Sequence, residues 1–183
     1  MFESWIITIM SVLYSLLKFI DKLLPVKEVY AHCDIPCGIY DPHLAQMAAH
    51  TIIRMVNLIN ELPKLAPDLK PEQRQEIIHK LTRYTAVKEQ HAEMCKNEIR
   101  ILWGDYFKPE HVKEYPELHE LVWKVMKLGS KARQEINLQA TEELLENVNK
   151  IAEIFWKTKG LDITRVKTTF YPTGNETVYP KVE

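Results

Sequence analysis

The sequence has no excess of charge of either sign, and this absence excludes one large class of partners. Its 183 residues contain 24 Lys and Arg against 25 Asp and Glu, a formal net charge of −1. Binding to nucleic acid requires a concentrated basic face, which a balanced chain without long charged runs does not offer. Internal repeats and low-complexity tracts are absent as well. We therefore predict one globular domain that does not bind nucleic acid.

Cysteine is also scarce, and an odd count of three does not make a disulfide framework. Cys95 stands alone in a helical pattern, and we interpret it as a small buried apolar side chain. Cys33 and Cys37 instead lie together in HCDIPCGIYDP, which runs from His32 to Pro42. This stretch of eleven residues also holds a histidine, two prolines and a glycine. It is the strongest candidate for a functional site.

A run of apolar residues long enough to cross a membrane is missing. Trp5 to Ile20 contains one charged residue but is shorter than the roughly 20 residues that a span needs. Polar residues follow and end in Val29 and Ala31, small side chains that suit positions −3 and −1 of a cleavage before His32. We predict that residues 1–31 are a cleavable leader. The alternative is an amphipathic N-terminal helix that stays attached.

The rest of the chain begins with the periodicity of two long helices. Asp41 as N-cap and Pro42 at the first helical position mark the start of the first helix. The second helix is predicted from Pro71 to about Trp103, with Gly104 ending it. Spacings of three and four residues predict that the first helix buries one face. That face consists of Leu44, Met47, Ala48, Thr51, Met55, Leu58 and Leu62.

Two further helices complete the pattern. The third follows PELHELVWKVMKLGSKARQEI, and the fourth begins at Thr141 as N-cap and ends at Gly160. Helices joined mostly by short connections predict an all-α fold, an antiparallel (up-down) four-helix bundle over residues 42–160. Residues 32–41 would form an irregular N-terminal metal-binding segment. Residues 161–183 form a β-prone polar tail that we expect to lie extended over the surface.

Cleavage before His32 would change the chemistry of the irregular stretch. His32 would gain a free α-amine, and this amine, the next amide nitrogen and the thiolates of Cys33 and Cys37 can define a square plane. Such nitrogen and sulfur ligation favours nickel(II) or copper(II), with the imidazole at an axial position. A zinc site is disfavoured because no second Cys or His pair follows. A disulfide between the two cysteines remains an alternative.

The stretch HCDIPCGIYDP resembles the nickel hook of the nickel superoxide dismutases, whose pattern is H-C-x-x-P-C-G-x-Y at a processed N-terminus. We call residues 32–41 the hook. The resemblance extends over roughly residues 31–160 through four more blocks. These are KEQ at 88–90, LWGDYFKPEH at 102–111, YPELH at 115–119 and FWKTKG at 155–160.

The resemblance implies an oxidoreductase that disproportionates superoxide to dioxygen and hydrogen peroxide. One nickel ion per subunit would cycle between the +2 and +3 states. Its implied ligands are the amine and imidazole of His32, the backbone nitrogen and thiolate of Cys33, and the thiolate of Cys37. Tyr40 is implied to belong with them to the catalytic set. A non-enzymatic nickel or copper carrier that uses the same donors is the alternative function.

The resemblance also implies residues around the metal. Tyr40 and Tyr106 match tyrosines that flank the site and limit access, and Asp34 matches a hook residue near the approach path. The family often has a glutamate and an arginine that hold the axial imidazole, where this sequence has Ala48 and His91. We hypothesise that His91 contributes to the site in their place; the alternative is a histidine that only faces the bundle.

Partners and location follow from the same resemblance. Members of the family are homohexamers whose hooks lie where subunits meet, and a dedicated peptidase removes their leaders. We therefore expect a homohexamer, a processing peptidase and no stable membrane partner for the mature chain. Reduced thiolates favour the cytoplasm, and the export-like leader makes export the alternative. A third interpretation keeps the first segment attached to a membrane, with a disulfide between the hook cysteines.

Overall fold

The computed structural model describes residues 2–23, 38–167 and 171–181, which belong to two units over residues 1–35 and 36–183. The first unit contains one helix, α1 (Phe2–Leu23). Its described side chains, those of Trp5, residues 9–20 and Lys22, are all exposed. Among the described residues, none of the helices combines the length and the apolar character that crossing a bilayer requires.

The second unit is built on a bundle of four long helices. The elements are α2 (His43–Asn60), α3 (Pro71–Ile101), α4 (Pro109–Glu114), α5 (Leu118–Gln134), α6 (Leu138–Thr158), β1 (Ile163–Lys167) and β2 (Glu176–Pro180). A five-residue π-helical turn, the π-turn (Leu102–Tyr106), follows α3. Helix α2 packs against α3 and α6, and α5 packs against the same two, so the four form a closed ring around one apolar core.

Helices α3 and α5 run in opposite directions. Their contacting residues pair in reverse order, Lys88 with Ala132 and Lys96 with Ser130, and the order continues in the π-turn, where Trp103 pairs with His119. The helical bundle that the periodicity predicts is thus confirmed.

Helix α2 begins at His43 with Pro42 as N-cap, one residue later than predicted, and its predicted inward face was wrong except at Ala48. Asp41 Oδ1 accepts a hydrogen bond of 2.6 Å from the His43 N–H, and the helix begins at that residue. Leu44 and Met47 are 52% and 43% exposed. The helix carries two adjacent apolar rows, and the core takes the row whose alanines allow close packing. The buried row is Ala45, Ala48, Ala49, Ile52, Ile53, Val56 and Ile59.

The predicted end of the second helix at Gly104 was also wrong. Helix α3 ends at Ile101, and the chain continues through Gly104 as the π-turn. The Phe107 N–H donates to the Leu102 carbonyl at 3.0 Å, which closes this wider turn, and Phe107 is extended. A wide turn therefore ends the helix without the left-handed glycine that the sequence suggested.

The fourth helix begins earlier than predicted. Its N-cap is Asn137, whose side chain accepts from the Ala140 N–H at 3.0 Å. Thr141, the predicted cap, lies inside the helix and donates its hydroxyl to the Leu138 carbonyl at 2.7 Å. Asparagine and threonine are both favoured at the N-cap. Asn137 caps this helix because its side-chain oxygen satisfies the Ala140 N–H, which has no partner within the helix. Gly160 follows the helix at φ +74°, as expected for its end.

A buried lysine joins α3 to the end of α5. Lys88 is 2% exposed and donates to the carbonyls of Ala132, of Arg133 at 2.8 Å and of Glu135 at 3.2 Å. Carbonyls at a helix C-terminus lack intrahelical donors and carry the negative end of the helix dipole, so an ammonium group suits them. Burial lowers the pKa of Lys88. The lysine of the KEQ block thus holds two helices together.

Replacing Lys88 by methionine is expected to lower the free energy of unfolding by about 2–4 kcal/mol, because the buried carbonyls lose their donor. Denaturant unfolding of both proteins measures the difference. The matched control is Lys80→Met on the same helix, where the lysine makes an exposed ion pair with Glu76. That variant should unfold near the wild-type midpoint. An equal loss of unfolding free energy in both variants would show that the hydrogen bonds from Lys88 to the carbonyls at the end of α5 do not stabilise the fold.

The β-prone tail forms an antiparallel pair of strands, β1 and β2, which packs against α6 of the bundle. Gln46 on α2 donates to the Val178 carbonyl at 3.1 Å. His50 lies between the hydroxyls of Thr173 and Thr177, at 2.8 and 2.7 Å. Burial lowers the pKa of His50 to about 4, so the imidazole is neutral and one ring nitrogen donates while the other accepts. This pair of strands is therefore part of the folded unit.

Candidate metal site and its surroundings

The four predicted hook residues His32, Cys33, Asp34 and Cys37 lie outside the described residues. Gly38 is the first described residue of the hook, and its φ angle is +80°. This backbone conformation is open to glycine and costly for residues with a Cβ. A glycine directly after the second cysteine thus allows the chain this conformation within the hook, three residues before Asp41.

The structure brings together the two tyrosines that the resemblance places beside the metal. The rings of Tyr40 and Tyr106 are 5.6 Å apart between centroids and inclined by 53°. Tyr40 lies in the hook, one residue before its end, and Tyr106 is the last residue of the π-turn. Both pack against the apolar core at this end of the bundle. Residues far apart in sequence therefore form one aromatic surface next to the end of the hook.

Tyr106 is held by groups from three directions. Phe155 of α6 lies 4.6 Å from its ring centroid, and His111 of α4 stacks on it at 5.8 Å. Its hydroxyl lies 2.7 Å from Thr158 Oγ1. The ammonium of Lys159 lies 5.0 Å from the ring centroid, within range of a cation–π interaction. Thr158 and Lys159 both belong to the FWKTKG block, although neither was predicted from sequence to lie beside the site.

The two positions that depart from the family pattern lie in different surroundings. Ala48 is 1% exposed and belongs to the apolar core. His91 is half-buried, and its Nδ1 lies 2.9 Å from the Val87 carbonyl one turn earlier. Because a carbonyl only accepts, Nδ1 carries the hydrogen and Nε2 remains for another partner. A role for His91 at the metal stays a prediction.

The described residues outside the hook offer no competing metal site. Cys95 is 0% exposed, and burial raises the pKa of its thiol to about 12, so it remains a thiol at neutral pH. This confirms its interpretation as a core residue. Over residues 2–23, 38–167 and 171–181, no three His, Cys, Asp or Glu side chains are grouped to hold a metal. Two thiolates and nitrogen donors, the set that His32, Cys33 and Cys37 would supply, suit nickel.

Comparison with known proteins places this arrangement in a family. Residues 27–159 match the sequence model of nickel-containing superoxide dismutase. The nickel superoxide dismutase of Streptomyces coelicolor is 40% identical over 135 residues, which cover 74% of this chain and 93% of that protein. The corresponding protein of Streptomyces seoulensis is 39% identical over the same shares of the two chains. The hook and all four further blocks lie within or at the edge of the matched region.

Solved structures agree with the sequence match. The native structure of a nickel superoxide dismutase is 37% identical, with a TM-score of 0.58, and covers 70% of this chain and 99% of that one. An apo structure is 34% identical, with a TM-score of 0.57, and covers 67% and 99%. The tail lies beyond the residues that the family model matches. The chain belongs to the family of nickel-containing superoxide dismutases.

Proposed function

We propose that the chain, once cleaved before His32, disproportionates superoxide to dioxygen and hydrogen peroxide at a nickel site made by His32, Cys33 and Cys37. The observation that carries this proposal is the family match over residues 27–159, which includes the whole hook. Nickel, one ion per subunit, supplies the one-electron redox chemistry when bound. Anionic thiolate and amide donors favour its higher oxidation state.

The described residues supply the surroundings of that site. Tyr40 and Tyr106 form the aromatic surface where the hook meets the bundle, and Phe155 and His111 fix the second ring. Rings held by packing on both sides are suited to keeping larger molecules away from a metal while a small anion passes. We assign Tyr40 and Tyr106 this role, and we assign Asp34 a place on the approach path.

Positive charge lies close to the same surface. Lys159 lies over the Tyr106 ring, and the exposed Lys108 follows two residues after that tyrosine. Superoxide is a small anion, and cationic side chains near a reaction site raise its local concentration and its association rate. We propose that Lys159, with Lys108, attracts the substrate.

Replacing Lys159 by glutamine is expected to lower kcat/KM about two- to fivefold at low ionic strength, with kcat less affected. The difference should shrink above roughly 0.1 M salt, where the screening length falls to about 10 Å. Pulse-radiolysis or stopped-flow rates over a salt series measure it. Lys157→Gln is the matched control, because Lys157 is an exposed lysine on the same helix end. Equal, salt-independent losses in both variants would exclude a role of Lys159 in steering.

The experiment that tests the proposed function compares the cleaved, nickel-loaded chain with free nickel at equal metal concentration. A dismutase should remove superoxide far faster than the free ion and produce hydrogen peroxide. A nickel or copper carrier would bind the metal with a rate no higher than that of the ion. Family membership favours the enzyme over the carrier.

We further propose a homohexamer and removal of residues 1–31 by a dedicated peptidase, in the cytoplasm where thiolates stay reduced. Large apolar side chains are exposed on the second unit, and contacts between subunits would cover them. Among them are Ile39 in the hook, 78% exposed, and Trp123 on α5, 61% exposed.

A further inference from the structure

The direction of one hydrogen bond beside the candidate site follows from counting hydrogens. Thr158 Oγ1 donates to the Phe155 carbonyl at 2.7 Å and lies 2.7 Å from the Tyr106 hydroxyl. A hydroxyl has one hydrogen, and a carbonyl oxygen only accepts. Since the Thr158 hydrogen goes to Phe155, the Tyr106 hydroxyl must donate its own hydrogen to Thr158.

Both partners in this bond are fixed by their neighbours. Thr158 is the last residue of α6, and its bond to the carbonyl one turn earlier sets its rotamer. The Tyr106 ring is packed between Phe155 at 4.6 Å and His111 at 5.8 Å, which keeps the hydroxyl facing α6. The direction of the bond is therefore built into the end of the bundle.

We propose that Thr158 is a positioning residue that makes the Tyr106 oxygen an acceptor only, an inference that rests on the proposed function. With its hydrogen committed to Thr158, the phenol can bind a second partner only if that partner donates. Superoxide anion and thiolates carry no hydrogen to donate, whereas water and hydrogen peroxide do. Tyr106 would thus order water and product at the site and give superoxide no hydrogen bond.

With this hydrogen bond in place, Tyr106 does not supply the protons of the reaction. Two superoxide ions and two protons give one dioxygen and one hydrogen peroxide. Because Tyr106 keeps its hydrogen on Thr158, both protons reach the nascent peroxide from solvent or from another group. Thr158→Val keeps the shape of the side chain and removes the oxygen that accepts from Tyr106. We expect this change to alter how the Tyr106 hydroxyl binds water, whereas the source of the reaction's protons stays the same.

The first readout needs neither metal nor activity. In the metal-free chain cut before His32, the ¹³Cζ resonance of labelled tyrosines reports phenol hydrogen bonding, and Tyr106→Phe identifies the Tyr106 signal. We expect that signal to move upfield in Thr158→Val and to stay near its wild-type position in Thr158→Ser, which keeps the hydroxyl. An unchanged signal in Thr158→Val, or failure of serine to preserve it, would overturn the proposal.

The second readout is a double-mutant cycle in the nickel-loaded protein. Thr158→Val should lower kcat/KM about three- to tenfold, the fold-change expected for one lost hydrogen bond between neutral groups. Thr158→Ser should keep the rate, and adding Thr158→Val to Tyr106→Phe should cause no further loss. Additive losses would show that Thr158 does not act through Tyr106. If the wild-type chain is inactive, the proposed function fails, while the carbon resonance still decides the role of Thr158.

Discussion

Replacing Cys33 or Cys37 by serine is expected to lower the nickel-dependent rate of superoxide removal by more than about a hundredfold. Partners that merely support a metal ligand already contribute 10–100-fold, and these changes remove a ligand itself. A serine hydroxyl stays protonated at neutral pH and does not provide the anionic sulfur that stabilises oxidised nickel. Metal content by elemental analysis and rate per nickel ion should both fall in each variant.

The third cysteine provides the control. Cys95 is 0% exposed in the core of the bundle, and its thiol stays protonated because burial raises its pKa to about 12. Cys95→Ala should cost roughly 1 kcal/mol of stability through a small cavity and leave the rate per nickel ion unchanged. Full activity in Cys33→Ser or Cys37→Ser would show that the ligands lie elsewhere. It would also reopen the interpretation of these two cysteines as a disulfide.

The chain that retains residues 1–31 is expected to be inactive. In that form the nitrogen of His32 is a peptide amide, so the free amine that would serve as a nickel ligand does not exist. Treating the intact chain with nickel should give a rate no higher than that of the free ion, and cleavage should raise it by orders of magnitude. Intact mass before and after cleavage, with the rate of each species, measures both. An intact chain as active as the cut one would contradict the proposed ligand set.

How far the sequence predicted this molecule differs from one feature to another. The number and rough limits of the bundle helices followed from periodicity, since burial on one face is a local pattern. The inward face of α2 did not, because the helix is apolar on two adjacent rows and only packing against α3 and α6 selects between them. The π-turn was missed for a similar reason. A glycine such as Gly104 signals a helix end in sequence, although the wider turn passes through it.

In the candidate site, too, some residues could be predicted from the sequence and others could not. His32, Cys33 and Cys37 could be predicted as ligands from sequence because their chemistry is concentrated in a few consecutive residues, and their role stays a prediction. The roles proposed for Thr158 and Lys159 had no sequence signal because they depend on contacts with Tyr106, which lies some fifty residues earlier in the chain. In the sequence Lys88 is indistinguishable from a surface lysine. Its role is visible only in the structure, where the end of α5 lies beside it. Side chains that act across the bundle leave no local signal.

The requirement for a free amine at His32 is the central claim, and a shift of one residue tests it most directly. Two chains are prepared that differ only in starting at His32 or at Ala31, so every side chain of the hook and bundle is kept. Each is loaded with nickel, and the rate of superoxide removal per chain is measured. The account predicts rapid dismutation by the chain that starts at His32 and a rate near that of free nickel for the chain that starts at Ala31. Equal rates would contradict it.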